Sequence, residues 1–114
     1  MAISVGNVHL QQTPGQGLDL ARLRAIEAVT TVPLVIHGGS GVPLAERATL
    51  SATSHIAKFN IGTELRTAFG AALRDTLARD PAVFDRIAIL KATEAPVRAA
   101  ARAIFWNLGA SGRG

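Results

Sequence analysis

Short apolar runs alternate along this chain with longer stretches of helical spacing. Ala2-Ile3-Ser4-Val5-Gly6 is apolar, ends in Gly-Asn, and reads as a strand. A polar loop rich in Gly and Pro follows, over residues 11–17. Across residues 18–30, Leu20, Leu23, Ile26 and Ala28/Val29 recur at helical spacing, with Arg22, Arg24 and Glu27 mostly on the other side. Pro33 introduces a second strand over residues 34–37. Pro43 sits where a helix tolerates its missing N–H, predicting a helix to about residue 54. Residues 56–61 form a third strand, with Phe59 and Ile61 expected on one face and Ile56 and Lys58 on the other. Thr63-Glu64 can cap a long helix through Arg79, which Asp80-Pro81 breaks. A last helix is expected over residues 94–108, with a frayed, flexible tail over 109–114.

The order is strand–helix three times, then an extra helix. Near-continuously apolar strands with helical crossovers predict an α/β fold built on a parallel sheet. A lone three-stranded parallel sheet is awkward, because both edges would be apolar and unpaired. A closed (β/α)8 barrel needs roughly 250 residues. The 114 residues therefore look like the last three β/α units of such a barrel plus a terminal helix, a partial barrel over residues 1–108. Opening directly on a strand is what a piece of a longer barrel would do.

Composition narrows the function. Hydrophobic residues make up 48% and charged residues 18%, as in a globular domain. The chain has no Cys, so any metal must be held by His, Asp or Glu. It has no run long enough for a membrane helix and no secretory leader, so a cytoplasmic location is the default expectation. The net charge is +4, but the arginines are dispersed and aromatics are scarce. That argues against nucleic acid and suits a small anionic ligand.

Chemistry gathers at the strand ends. Asn7 and His9 follow the first strand. His37, Gly38, Gly39, Ser40 and Gly41 follow the second, and Asn60, Gly62 and Thr63 the third. In a parallel sheet these lie on one rim, where open backbone N–H groups can cradle a phosphate and imidazoles can share a metal. Each has a plain structural alternative: a hydrogen-bonded His, a flexible Gly-Ser connection, a turn at Asn60, a helix cap at Thr63. Their coincidence at three successive strand ends favours the functional reading. His55 begins the third strand, at the far end of the sheet. Lys58 and Glu64 read as structural or supporting residues.

Gly6-Asn7-Val8-His9, His37-Gly38-Gly39-Ser40-Gly41 and Lys58-Phe59-Asn60-Ile61-Gly62-Thr63-Glu64-Leu65 resemble, in order and spacing, motifs of the class II zinc-dependent ketose-bisphosphate aldolases. These include fructose- and tagatose-bisphosphate aldolases, enzymes of carbohydrate metabolism and glycolysis. The resemblance implies a lyase reaction, reversible aldol cleavage of a ketose 1,6-bisphosphate to dihydroxyacetone phosphate and an aldehyde phosphate. It implies Zn2+, a monovalent cation, and a homo-oligomer at full length. It matches His9 and His37 to two of three zinc histidines. It matches Leu10, Gly38, Ser40, Gly62 and Thr63 to the phosphate loops, and Asn60 to a ketose contact. Leu10 stands where many members have Gly. The third zinc histidine and the acid–base aspartate belong to an earlier segment, so no catalytic residue is expected in this chain. Asp19 and Asp75 sit in helical stretches and are not placed to substitute. The isolated chain is expected to be inactive. The other reading is a non-catalytic phosphate-binding or assembly module on a half-barrel.

Overall fold

A computed structural model describes residues 1–6 and 17–110. Asn7, His9 and Leu10, and the tail beyond residue 110, lie outside the described residues. The fold is α/β, with three parallel strands and four α-helices. The strands are β1 (Ala2–Ile3), β2 (Leu34–Ile36) and β3 (Ile56–Phe59), in spatial order β1-β2-β3. The helices are α1 (Leu20–Glu27), α2 (Leu44–Thr53), α3 (Thr63–Arg79) and α4 (Arg86–Asn107). None of the described helices is long and apolar enough to cross a membrane.

Strand pairing brings Ala2 opposite Val35 and Ile3 opposite Ile36. On the other side Leu34 pairs with Ile56, but Val35 pairs with Lys58, which leaves Ala57 as an extra residue. This bulge reverses the side-chain parity of β3. Ile56 is buried and Phe59 packs on the same core, while Lys58 is exposed opposite Val35. The strict alternation expected for residues 56–61 is corrected accordingly.

The core lies on one face of the sheet. Leu34, Ile36, Val5 and Leu23 are completely buried, joined by Val42, Leu50 and Ile56. The strands are therefore not buried on both faces: Val35 is half-buried, and Ala57 and Lys58 are exposed. Helix α1 is shorter than its periodicity suggests because Asp19 caps it, its carboxylate accepting from Arg22 N–H at 2.9 Å. Leu20 is exposed, and Leu18 and Leu23 do the packing.

Helix α4 begins eight residues before the expected Glu94, at Arg86. Asp85 is its cap, with its carboxylate accepting from Ile87 N–H at 2.9 Å. Pro96 lies inside the helix, removing one backbone donor without ending it. The helix packs along α3, and Asn107 Nδ2 reaches back to the Leu44 carbonyl at 2.9 Å. Ile87, Leu90, Phe105 and Trp106 remain exposed on it.

Glu27 ties the end of α1 to the entry of β3. Its carboxylate accepts from His55 N–H at 2.7 Å and from Arg24 Nη1 at 2.6 Å. The His55 amide, opposed in part by burial and helped by Arg24, holds the Glu27 carboxyl below the usual glutamate range. A depressed folded pKa gives stability that is present above the unfolded value of about 4.3 and is lost as pH falls through the folded one. Glu27→Ala is expected to lower unfolding stability by about 1 kcal/mol at neutral pH. Urea titrations at neutral and strongly acidic pH check this. The difference from the unsubstituted chain should shrink in acid, and a constant difference contradicts the assignment.

Candidate functional site

Residues following β2 and β3 surround one cavity of about 440 Å³. His37 stands immediately after β2, and the chain then turns sharply at Gly38, whose φ of 62° is left-handed. An L side chain there is disfavoured, so glycine suits the turn. A single 3-10 turn, Gly39–Gly41, follows. Gly39 N–H donates to the Asn60 carbonyl at 2.9 Å, and Asn60 N–H donates to the Ile36 carbonyl at 2.8 Å. The strand pairing is thus extended by backbone bonds that lock the glycine loop to the end of β3. A Cβ on Gly39 would lie 3.1 Å from the Asn60 oxygen and 3.1 Å from Ile61 Cγ1. The close approach of the two loops leaves little room for any side chain at that position.

The second wall is the start of α3. Its cap is Gly62, not Thr63, and Gly62 has no side chain to accept from the first-turn N–H groups. Thr63 is the first helical residue and lines the cavity. Glu64 N–H reaches Ser40 Oγ at 3.4 Å, which links the two walls. A serine hydroxyl that accepts this bond still has its own proton to donate outward. Helix-start amides, a small-residue turn and two hydroxyls are groups that can together cradle an anion.

His37 and Asn60 meet across the cavity floor, with Asn60 Nδ2 at 3.2 Å from His37 Nδ1. With the amide donating, Nδ1 accepts and the neutral ring carries its proton on Nε2. With the amide turned over, Oδ1 accepts from Nδ1–H and the neutral ring keeps its lone pair on Nε2. Either way Asn60 orients the ring. Among the described residues no three His, Cys, Asp or Glu side chains gather as a metal site. The described residues thus offer a metal one imidazole, His37, of the kind a larger ligand set would use.

Six of the residues singled out in the sequence line this one cavity: His37, Gly38, Ser40, Asn60, Gly62 and Thr63. His9 and Leu10 lie outside the described residues. His55 is at the opposite end of the sheet, where its carbonyl accepts from Leu34 N–H at 2.9 Å. Two cations, Lys58 and Arg66, also line the cavity, and no carboxylate does so among the described residues. Arg66 belongs to no glycine or histidine motif. Its only signal in the sequence is its spacing, three residues after Thr63, which places both on one side of a helix. Lys58 reaches the cavity because of the bulge in β3.

The sequence matches the family described as class II fructose-bisphosphate aldolase over residues 1–113. It is 34% identical over 115 residues to a fructose-bisphosphate aldolase of Geobacillus stearothermophilus, covering 99% of this chain and 39% of that protein. The crystal structure of the YdjI aldolase from Escherichia coli K12 is similar, with a TM-score of 0.75 and 26% identity. That similarity covers 98% of this chain and 39% of the other. The chain thus spans about two fifths of the length of these relatives, and it belongs to the class II fructose-bisphosphate aldolase family.

Proposed function

We propose that residues 1–108 are the last three β/α units and terminal helix of a (β/α)8 barrel, with residues 109–114 as a tail. In this reading the parent enzyme cleaves a ketose 1,6-bisphosphate, of the fructose or tagatose type, to dihydroxyacetone phosphate and an aldehyde phosphate. The observation that carries it is the convergence of an imidazole, a glycine turn and the bare start of α3 on one cation-lined cavity. Two sheet edges without a strand neighbour among the described residues, at β1 and β3, agree with a barrel continued elsewhere. A homo-oligomer, a cytoplasmic location and an accompanying monovalent cation belong to the same reading.

His37, together with His9, would hold Zn2+, which when bound supplies Lewis-acid polarisation of the ketone. Asn60 fixes the His37 ring and offers an amide to the ketose. Gly38, Ser40, Gly62 and Thr63 grip the phosphate, helped by Leu10 from the first strand end. Lys58 and Arg66 offset its charge. Gripping the phosphate restrains the carbon skeleton next to the histidines, so that little further ordering is needed at the reacting bond. A lining that carries Lys58 and Arg66 suits equally a second reading, a phosphate-binding or assembly module without catalysis. Both readings require the anion cradle.

The cradle is tested by titrating inorganic phosphate and dihydroxyacetone phosphate into the 15N-labelled chain. Amide shifts are expected at Gly38, Ser40, Gly62 and Thr63, with affinity in the millimolar range, about 4 kcal/mol. Gly38→Ala should lower unfolding stability by about 1 kcal/mol, because alanine at a φ of 62° is strained, and weaken phosphate binding as the loop relaxes from that turn. Shifts confined to other surfaces, or none at all, overturn the site.

A further inference from the structure

Arg47 is the largest fully buried side chain among the described residues, only 1% exposed, yet α2 contributes nothing to the cavity lining. Its Nη1 donates to Glu64 Oε1 at 2.7 Å and its Nη2 to Oε2 at 3.4 Å, a fork onto one carboxylate. Glu64 follows Thr63 directly, and its own N–H is the group that reaches Ser40 Oγ. Arg47 therefore grips the residue that spans both walls of the cradle. Its neighbour Glu46 reaches in the other direction. Glu46 Oε1 accepts from Leu18 N–H at 2.7 Å, and the carboxylate packs so closely on Gly17 that a Cβ there would collide with it. Gly17, with φ of 87°, and Leu18 end the connection that runs from β1. Two consecutive residues in the first turn of α2 thus tie down the arrivals from both flanking units.

Stability alone is a poor reason for this arrangement. A buried guanidinium is favourable only when its geometry and hydrogen bonding are excellent, and an apolar residue of similar volume often does as well. Here the partner carboxylate is 32% exposed, and Arg47 Nε has no hydrogen-bond partner among the described residues. What the fork does supply is register, since a planar bidentate contact fixes direction as well as distance. We propose that Arg47 and Glu46 are positioning residues that set the spacing between the 38–41 loop, the start of α3 and the end of the β1–α1 connection, and so set the anion affinity of the cavity. The inference rests on the phosphate-site reading above.

The sign of one substitution separates positioning from simple charge. Glu64→Gln removes a negative charge beside the cradle, so electrostatics alone would tighten phosphate binding. Loss of register would weaken it. The test is the titration of the 114-residue chain with inorganic phosphate, read by amide shifts, for Glu64→Gln, Arg47→Met, Arg47→Lys and the double variant Arg47→Met/Glu64→Gln. Each of Glu64→Gln and Arg47→Met is expected to weaken phosphate roughly tenfold. The double variant should be no weaker than either single one, as for residues acting as a unit. Arg47→Lys, which keeps the charge but not the fork, should fall between Arg47→Met and the unsubstituted chain. Glu46→Ala should move the Leu18 amide and weaken phosphate as well. If Arg47→Met does not fold, Glu64→Gln and Arg47→Lys carry the test, because both leave the buried position occupied by a long cation. Tighter or unchanged binding in Glu64→Gln, with normal binding by the unsubstituted chain, overturns this proposal alone. No phosphate binding by the unsubstituted chain overturns the phosphate site and this proposal with it.

Discussion

The 114-residue chain is expected to show no aldol cleavage of fructose or tagatose 1,6-bisphosphate with added Zn2+, and to gain it when joined to the N-terminal remainder of a class II aldolase. The reason is a count of carboxylates. The chain has eight Asp and Glu residues, and all of them lie among the described residues. Asp19 and Asp85 cap α1 and α4, and Asp80 receives the Ala82 amide. Asp75 pairs with Arg79, Glu94 with Arg98, Glu27 with Arg24 and Glu64 with Arg47. Glu46 holds the Leu18 amide. None lines the cavity that the described residues form, and the acid–base group is expected from outside this chain. A positioned acid–base group is worth about 10²–10⁴ in rate. Three protein ligands are usual for catalytic zinc, and the proposed set takes only two, His9 and His37, from this chain, so metal binding by the lone chain should be weak. The measurement is cleavage by the chain alone, mixed with the remaining part of the Geobacillus stearothermophilus relative, and fused to it in place of the matching segment. Cleavage by the lone chain would show an acid–base group elsewhere in it. Phosphate binding without cleavage in the mixture and the fusion would favour the non-catalytic module.

Much of this architecture is legible in the residues because local chemistry and global fold agree there. The strand starts near residues 2, 34 and 56 are short apolar runs set off by Gly, Pro and polar turns, and all three occur as parallel neighbours. Helix α3 is legible for a similar reason, since Gly62 and Asp80-Pro81 bound a long stretch of good helix formers. The glycine turn at Gly38 announces its backbone directly.

What is not legible is set by geometry that the sequence does not print. The bulge at Ala57 depends on how β3 meets β2, and it alone decides that Lys58 faces the cavity while Ile56 and Phe59 join the core. The first two turns of α4, before the expected start at Glu94, are begun by the Asp85 cap. The fork from Arg47 to Glu64 spans 17 residues, and the Glu46 bond to Leu18 spans 28. Neither has a periodicity to betray it. Arg47 in sequence is one of many dispersed arginines on a helix, and only its burial sets it apart.

His37→Ala is expected to lower cleavage by the joined enzyme by more than about 100-fold, the upper range seen when only the supporting residues around a metal ligand are lost. Zinc content at equilibrium should fall with it. Phosphate binding by the chain should survive within roughly threefold, because the loop is held by backbone. Gly39 N–H bonds to the Asn60 carbonyl and Asn60 N–H to the Ile36 carbonyl, and neither bond involves the imidazole. Asn60→Ala is the graded companion. It removes the amide 3.2 Å from His37 Nδ1 that helps to orient the ring, so it should reduce cleavage by about 10–100-fold while leaving more zinc bound than His37→Ala does. His55→Ala is the control, since that side chain lies at the other end of the sheet, and it should leave cleavage unchanged. The decisive comparison is zinc against phosphate in the same protein. Loss of both in His37→Ala would mean that the imidazole supports the loop instead of the metal. Loss of neither would remove His37 from the site. Loss of zinc and cleavage with phosphate retained is the pattern that the locked loop and the single oriented ring require.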